Sequence, residues 1–484
     1  MGLLGILLGL ALLISLALRG WSVLLLAPAA ALIAAALAGE PLLASWTQTF
    51  MGAAATFVAQ FFPLFLLGAL FGKLMDDSGS VAAIAQFMTE RLGERRAVLA
   101  VVLAGALVTY GGVSLFVAFF VLVPMAQALF RAASIPRRLM PAAIALGTST
   151  FTMSALPGTP AIQNAIPMPF FGTTPFAAPG LGLIASAIML GFGLWWLRRA
   201  EAAARRAGEG YGGPDAATAD AAADDLRVRE LATTAREFDP AEIRRGQHSD
   251  TTPPVARAFL PLVVVLIVNL AMSLAVLPSL DFSFLEADRW GATSLPAVAG
   301  VWAVVVALAS GIVALVAVNH RYLPALRASM DAGANASVLP AVSVASLVGF
   351  GAVVAALPAF EAVRDWVLAI QGGPLVSLAV ATNVLAALTG SASGGLTIAL
   401  DALGGTYVQI AAQTGIAPAL MHRVAVIGAG TLDSLPHNGA VVTLLALCGL
   451  THREGYLDIV MVAIVGAIIA LLAVIALGSA FGSF

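Results

Sequence analysis

The sequence predicts an all-α polytopic membrane protein folded as two inverted repeats, and three observations predict it. Of its 484 residues 60% are hydrophobic and only 10% charged, against about a quarter charged in a soluble domain. Two polar interruptions sit deep in apolar sequence and resemble each other: Gly147-Thr-Ser-Thr-Phe-Thr-Met-Ser154-Ala-Leu-Pro157-Gly-Thr159-Pro160, and Gly428-Ala-Gly-Thr431-Leu-Asp433-Ser434-Leu-Pro436-His437-Asn438-Gly439. A continuous membrane helix has no use for such runs, because proline removes a hydrogen bond and glycine loosens the backbone. The third observation is spacing. Thr109, in the turn Thr109-Tyr-Gly111-Gly112-Val-Ser114, precedes Ser154 by 45 residues; Thr389, in Thr389-Gly-Ser391-Ala-Ser393-Gly394-Gly395, precedes Ser434 by the same 45. Matched broken segments in two halves point to a transporter's substrate site.

About 20 apolar residues measure one crossing. Apolar runs fall near 2–18, 21–38, 55–72, 99–130, 139–171, 179–197, 258–277, 293–318, 336–358, 374–411, 419–450 and 457–480. The first has no basic residue ahead of it and Arg19 behind it, the reverse of a secretory signal; it is expected to be a retained span with its N-terminus outside. Basic residues mark cytoplasmic loops. Arg19, Lys73, Arg91, Arg95, Arg96, Arg131, Arg137, Arg138, Arg321, Arg327 and Arg453 are therefore assigned inside, and the loops 39–54, 172–178 and 412–418, free of Lys and Arg, outside. These assignments agree if 99–130 is a re-entrant hairpin from the cytoplasm and 374–411 one from outside. The segments 139–171 and 419–450 are then broken helices crossing in opposite directions. Each half holds five spans, one of them the broken helix, and a hairpin, and an odd span number inverts the second half. Arg289, Arg364 and Arg423 fit this topology least well, and His422 and Arg423 are expected near the outer surface.

Three regions follow: a first repeat over 1–197, a charged cytoplasmic linker over 198–257, and a second repeat over 258–484. The linker holds 10 Lys/Arg and 11 Asp/Glu of the 50 charged residues, with no sign of a folded catalytic domain. A net charge of −2 argues against nucleic acid as a partner. The single Cys448 excludes an internal disulfide framework and a cysteine metal cluster. No metal or other cofactor is implied. Lys73, Asp76 and Asp77 read as a solvated helix cap, and Trp195-Trp196 as an interfacial belt.

The four soft breaks should converge near the bilayer midplane. Half-helix starts favour a carboxylate, and hydroxyls donate to carboxylate oxygens and accept from a substrate hydroxyl. The candidate substrate contacts are Thr109, Gly111, Gly112, Ser114, Thr152, Ser154, Thr159, Ser391, Ser393, Gly394, Ser434 and Asn438; Gln163 and Asn164 follow the first break. Such a site needs no permanent positive charge. Asp433 and His437 are the proton-coupling candidates. A midspan aspartate costs about 2.5–3.5 kcal/mol on insertion scales and so has a function or a partner, while histidine titrates near neutral pH. Local capping of the half-helix near Leu435 by Asp433, or sodium coordination, are the alternatives for Asp433.

The runs Gly72-Lys-Leu-Met-Asp76-Asp77-Ser-Gly79, Thr109-Tyr-Gly-Gly-Val and Asp433-Ser-Leu-Pro-His437-Asn438-Gly resemble the gluconate permease family of proton symporters, within the ion transporter superfamily. The resemblance spans nearly the whole chain. It implies a homodimer in the bacterial inner membrane, with a scaffold and an elevator-like transport domain carrying the hairpins and broken helices. It also implies symport of protons with a small hydroxylated monocarboxylate. Ser-Leu-Pro-His-Asn-Gly looks like a branch associated with short hydroxy acids such as 3-hydroxybutyrate. Sodium-coupled carboxylate symport is the alternative within the class. An intramembrane enzyme using Asp433 and His437 is the alternative outside it, disfavoured because no second histidine cluster, phosphate loop or zinc spacing accompanies them.

Overall fold

The computed structural model describes residues 2–18, 21–212, 245–436 and 438–484. Among them every regular element is helical and no strand occurs. Apolar sequence in a bilayer leaves the backbone only helices or closed barrels, since no water satisfies free N–H and C=O groups. Seven helices of the described residues are long and apolar enough to cross a membrane.

The chain opens with α1 (Gly2–Leu18) and α2 (Val23–Ala38), packed on each other. The third helix, α3 (Leu42–Asp77), starts well before the expected run at 55, because a π-helical stretch over Ser45–Phe50 carries it through polar sequence. A short amphipathic helix, α4 (Ser80–Leu92), follows; it buries Val81, Ala83 and Ile84 and was not apparent from hydropathy. Next come α5 (Ala97–Tyr110) and α6 (Leu115–Ala132), joined by the four residues 111–114. The segment expected as a broken helix is divided into α7 (Met140–Thr148), α8 (Phe151–Ser154), α9 (Ile162–Ala165) and α10 (Pro167–Phe171), with irregular chain over 155–161. The half closes on α11 (Pro179–Arg206).

Most of the expected linker, residues 213–244, lies outside the described residues. The second half runs α12 (Val255–Ser279), α13 (Leu295–Tyr322), α14 (Leu326–Ala356) and a short α15 (Phe360–Leu368). A pair joined at a tight turn follows, α16 (Pro374–Thr389) and α17 (Ala392–Thr414). The second broken segment is α18 (Pro418–Thr431), a 3-10 turn at Leu432–Ser434, and α19 (Gly439–Leu447); α20 (His452–Phe481) ends the chain.

One large apolar core joins α3, α5–α7, α11–α13, α16–α18 and α20. A smaller one seats α1 and α2 against Leu347, Phe350 and Val353 of α14 and Ile398 of α17. Polar ties gather at the helix ends. Arg138 bonds Asp458 at 2.8 Å and Glu209 at 2.9 Å, while the Trp196 indole donates to the same Asp458 at 2.9 Å, so α11, α20 and the turn before α7 are pinned together. The expected solvated cap on α3 is instead buried. Lys73 and Asp77 are fully enclosed and paired at 2.9 Å, because residues 245–249 fold back over them. There His248 bonds Asp76 at 2.9 Å and the Ser249 amide donates to the Asp77 carbonyl at 2.8 Å.

Candidate functional site

The first break is held open by its own hydroxyls. Thr150, Thr152 and Ser154 donate to the carbonyls of Leu146, Gly147 and Thr150 at 2.7, 3.1 and 3.1 Å, supplying bonds that an unbroken ladder would have made. Thr152 and Ser154, expected to touch substrate, thus commit their hydrogens to backbone. Thr159 accepts from the Ala161 amide at 3.4 Å. The adjoining turn between α5 and α6 is tied to the break by Tyr110, whose hydroxyl donates to the Pro157 carbonyl at 2.7 Å. Thr109 donates to Gly105 at 2.8 Å.

His422 and Arg423, in the first turns of α18, are fully buried within the protein. The irregular chain around Ser154 and Ala177 wraps them, which the apolar run 419–450 alone does not announce. Arg423 Nε and Nη2 donate to the Ala177 carbonyl at 3.1 and 2.7 Å, and Nη1 donates to the Ser154 carbonyl at 3.2 Å and to Asn164 Oδ1 at 3.4 Å. Every one of these acceptors is neutral. A buried guanidinium, which the sequence reading did not place there, thus stands directly behind the first break. Asn164 fixes the neighbouring imidazole as well. Its amide nitrogen donates to Thr159 and Pro175, so its oxygen faces His422 Nε2 at 3.1 Å, which makes Nε2 the protonated nitrogen and leaves Nδ1 to accept from Thr173 at 2.6 Å.

The second break is capped differently. Asn438 Oδ1 accepts from the amides of Ala440 and Val441 at 2.7 and 3.2 Å, and its Nδ2 donates to the Gly390 carbonyl and to Asp433 Oδ1, both at 2.9 Å. The cap of this half-helix is thus Asn438 and not Asp433, because the helix restarts at Gly439 rather than near Leu435. Ser391 caps α17 by accepting from the Gly394 amide at 3.2 Å and lies 3.1 Å from Ser393. His437 lies outside the described residues.

Three helices of the turns and breaks, α6, α17 and α19, begin close by, and they are not equivalent. The amino ends of α17 and α19 are capped by Ser391 and Asn438, whereas Ser114 makes no side-chain capping bond to the 18-residue α6. That uncapped end opens on a cavity of about 180 Å³ lined by Thr109, Gly112, Ser114, Gln163, Ser337 and Ser393 among others. Its apolar walls come from Leu64 and Phe65 of α3 and Pro340 and Val344 of α14. A second cavity, of about 20 Å³, is lined by Ser149, Gln163, Asp433, Ser434 and Asn438. Of the expected contacts, the structure gathers Thr109, Gly112, Ser114 and Ser393 around the larger space and Ser434, Asn438 and Asp433 around the smaller. Gly111, Thr152, Ser154, Thr159, Ser391 and Gly394 line neither and serve the backbone around them. Arg423 and Tyr110 are the residues that sequence reasoning missed.

Comparison with known proteins agrees with this architecture. The citrate transporter (CitMHS) family profile matches residues 10–300. The uncharacterized transporter YxjC of Bacillus subtilis is 41% identical over 481 residues, covering 98% of each chain. Among solved structures, MtrF of Neisseria gonorrhoeae, described within a class of antimetabolite efflux pumps, superposes with a TM-score of 0.55 at 15% identity over 89% of this chain and 83% of its own. The YdaH transporter of Alcanivorax borkumensis gives 0.53 at 16% identity, over 91% and 89%. At such identities these two share the fold alone. The ion transporter superfamily indicated by the motifs is the one found, and its members here are transporters, not enzymes. By the matched profile and the near-complete alignment with YxjC, this chain belongs to the citrate transporter (CitMHS) family.

Proposed function

We propose that the protein is a proton-coupled symporter carrying a small hydroxylated carboxylate into a bacterial cell, across the inner membrane, by alternating access. The observation that carries this reading is the cavity of about 180 Å³ at the uncapped amino end of α6. A helix start carries roughly half a positive charge, which favours a carboxylate. Arg423, bonded to the carbonyl of Ser154 next to the cavity-lining Met153, adds a full charge without a paired carboxylate among the described residues. The volume falls below the roughly 300–1,000 Å³ of drug-sized pockets and suits a compact metabolite. Citrate, named for the family, and gluconate and 3-hydroxybutyrate, named for the resemblance, share one chemistry: a carboxylate with a hydroxyl.

The reading places the repeats at 1–197 and 258–484, joined by the cytoplasmic linker 198–257, and makes the second inverted. Two pairs of observations support the repeat. A Cβ on Gly147 would collide with the Val102 carbonyl, and one on Gly428 with Thr382, so each broken helix crosses its hairpin at matching places. Each hairpin turn is also tied to its break, by Tyr110 to Pro157 and by Asn438 to Gly390. The hairpins and broken helices form the moving body of an elevator, and α3 with α12–α14 forms the scaffold of a homodimer. Asp433, in the smaller cavity and joined to Asn438, takes up the coupled proton with His437.

Purified protein in liposomes tests this with labelled citrate, gluconate and 3-hydroxybutyrate under a proton gradient, a sodium gradient or none. Saturable uptake of one of these acids, raised by an inside-alkaline gradient, is expected. Dependence on sodium alone removes the proton role of Asp433. Gradient-independent, unsaturable flux makes the protein a channel.

A further inference from the structure

Gln163 is the polar residue common to both cavities; the others they share, Leu115 and Met153, are apolar. It is 8% exposed, and its Oε1 has no hydrogen-bond partner among the described residues. A buried amide oxygen without a donor costs about 1–3 kcal/mol, and natural proteins rarely leave one so without a reason. Its neighbour on α9 shows the contrast. Asn164 commits its nitrogen to the carbonyls of Thr159 and Pro175, and its oxygen to His422 and Arg423, so it belongs to the framework. Gln163, one position earlier and about 100° around the helix, lines both cavities and keeps its Oε1 enclosed without a donor, one turn of the amide away from the cavity space.

The larger cavity is otherwise sorted by hydrogen-bond sense. Ser114 and the amino end of α6 offer donors. Thr109 and Ser337 have already given their hydrogens to the carbonyls of Gly105 and Ala334, at 2.8 and 2.7 Å, so their oxygens each hold one bond and feel no deficit. Among the described residues lining it, Gln163 Oε1 is the buried polar atom with no hydrogen bond at all. A hydroxy acid is the complement of this arrangement, with an accepting carboxylate at one end and a donating hydroxyl at the other.

We propose that Gln163 is a specificity-determining residue: its Oε1 accepts the hydrogen bond of the substrate hydroxyl while the carboxylate lies at the amino end of α6. The assignment rests on the transport reading above. A site built to bond a hydroxyl rejects the analogue lacking it, because its own polar group is then left unpaired. The test is competition in liposomes between acids differing only in that hydroxyl: 3-hydroxybutyrate against butyrate, and citrate against propane-1,2,3-tricarboxylate. Wild type prefers the hydroxylated member of the transported pair. Gln163→Leu lowers that preference by about tenfold, and Gln163→Met, closer in shape, does the same if the leucine variant is poorly folded. Gln163→Glu, which keeps an acceptor, retains it. An equal fall for both members of a pair, or a preference indifferent to residue 163, overturns the proposal while leaving transport intact. Uptake of no hydroxylated acid by wild type overturns the transport reading itself.

Discussion

Arg423 is a cation surrounded by apolar helices and held by neutral oxygens. The guanidinium suits the task because its planar fork reaches the carbonyls of Ser154 and Ala177 together, which a lysine ammonium does not. Arg423→Gln withdraws the charge and leaves those carbonyls under-satisfied, costing on the order of 3 kcal/mol. The expected result is a lower unfolding temperature in detergent and loss of anion uptake. Arg423→Lys recovers part of the stability but little transport, since charge returns without the fork. An Arg423→Gln protein transporting at the wild-type rate would separate the charge from the function. The burial of Arg423 was not legible in sequence: it lies a turn and a half into α18, where a basic side chain ordinarily reaches an interface. What encloses it is the broken chain from 155 to 177, two short helices among irregular stretches, whose path no periodicity reports. The hydroxyls of the breaks were legible as a class, but not which of them would be taken by neighbouring carbonyls.

At the scale of elements, the crossings of broken helix and hairpin depend on two positions that admit no side chain. Gly147→Ala drives a methyl into the Val102 carbonyl, and Gly428→Ala drives one into Thr382. Overpacking of this kind costs typically about 1–3 kcal/mol. Gly147→Ala should be the worse of the two, because backbone yields less than the Thr382 hydroxyl; thermal unfolding of the two variants side by side checks the order. The helix pairs around 111–114 and 390–391 were legible because hydropathy runs too long for one crossing and too short for two stand out, and glycine with hydroxyls marked the turns. The caps were harder. Asn438 and Asp433 are both good capping types, and the choice between them turned on helix α19 restarting only at Gly439. Helix α4 escaped notice because one buried face on thirteen residues does not raise mean hydropathy.

For the molecule as a whole, residues 245–249 join the charged connection to the end of α3. His248 stands at that seam, facing Asp76, Asp77 and Lys73. Its hydrogen bond to Asp76, helped by the charges of Asp76 and Asp77 and opposed by burial and Lys73, raises the imidazole above its ordinary value. A raised value in the folded state means that the clasp is strongest below about pH 6.5 and is lost as pH climbs through the raised value. Hydrogen exchange at 245–254 should therefore quicken from pH 6 to pH 8 beyond the intrinsic base-catalysed rise, and His248→Gln should remove the excess. Exchange that follows only the intrinsic rate in both proteins would show that the clasp does not depend on the proton.

The unequal treatment of the helix starts reaches further. Two of them are closed by the chain's own side chains, and α6 is not. Aspartate is among the best residues for closing a helix start, so Ser114→Asp would seat a tethered carboxylate where the proposed substrate's would lie. Such a protein should unfold about 1 kcal/mol harder and carry nothing, its inhibitor being one of its own side chains. Stability and transport would then move in opposite directions at a single residue. On the proposed reading, a socket for anions is a helix the protein has left unfinished.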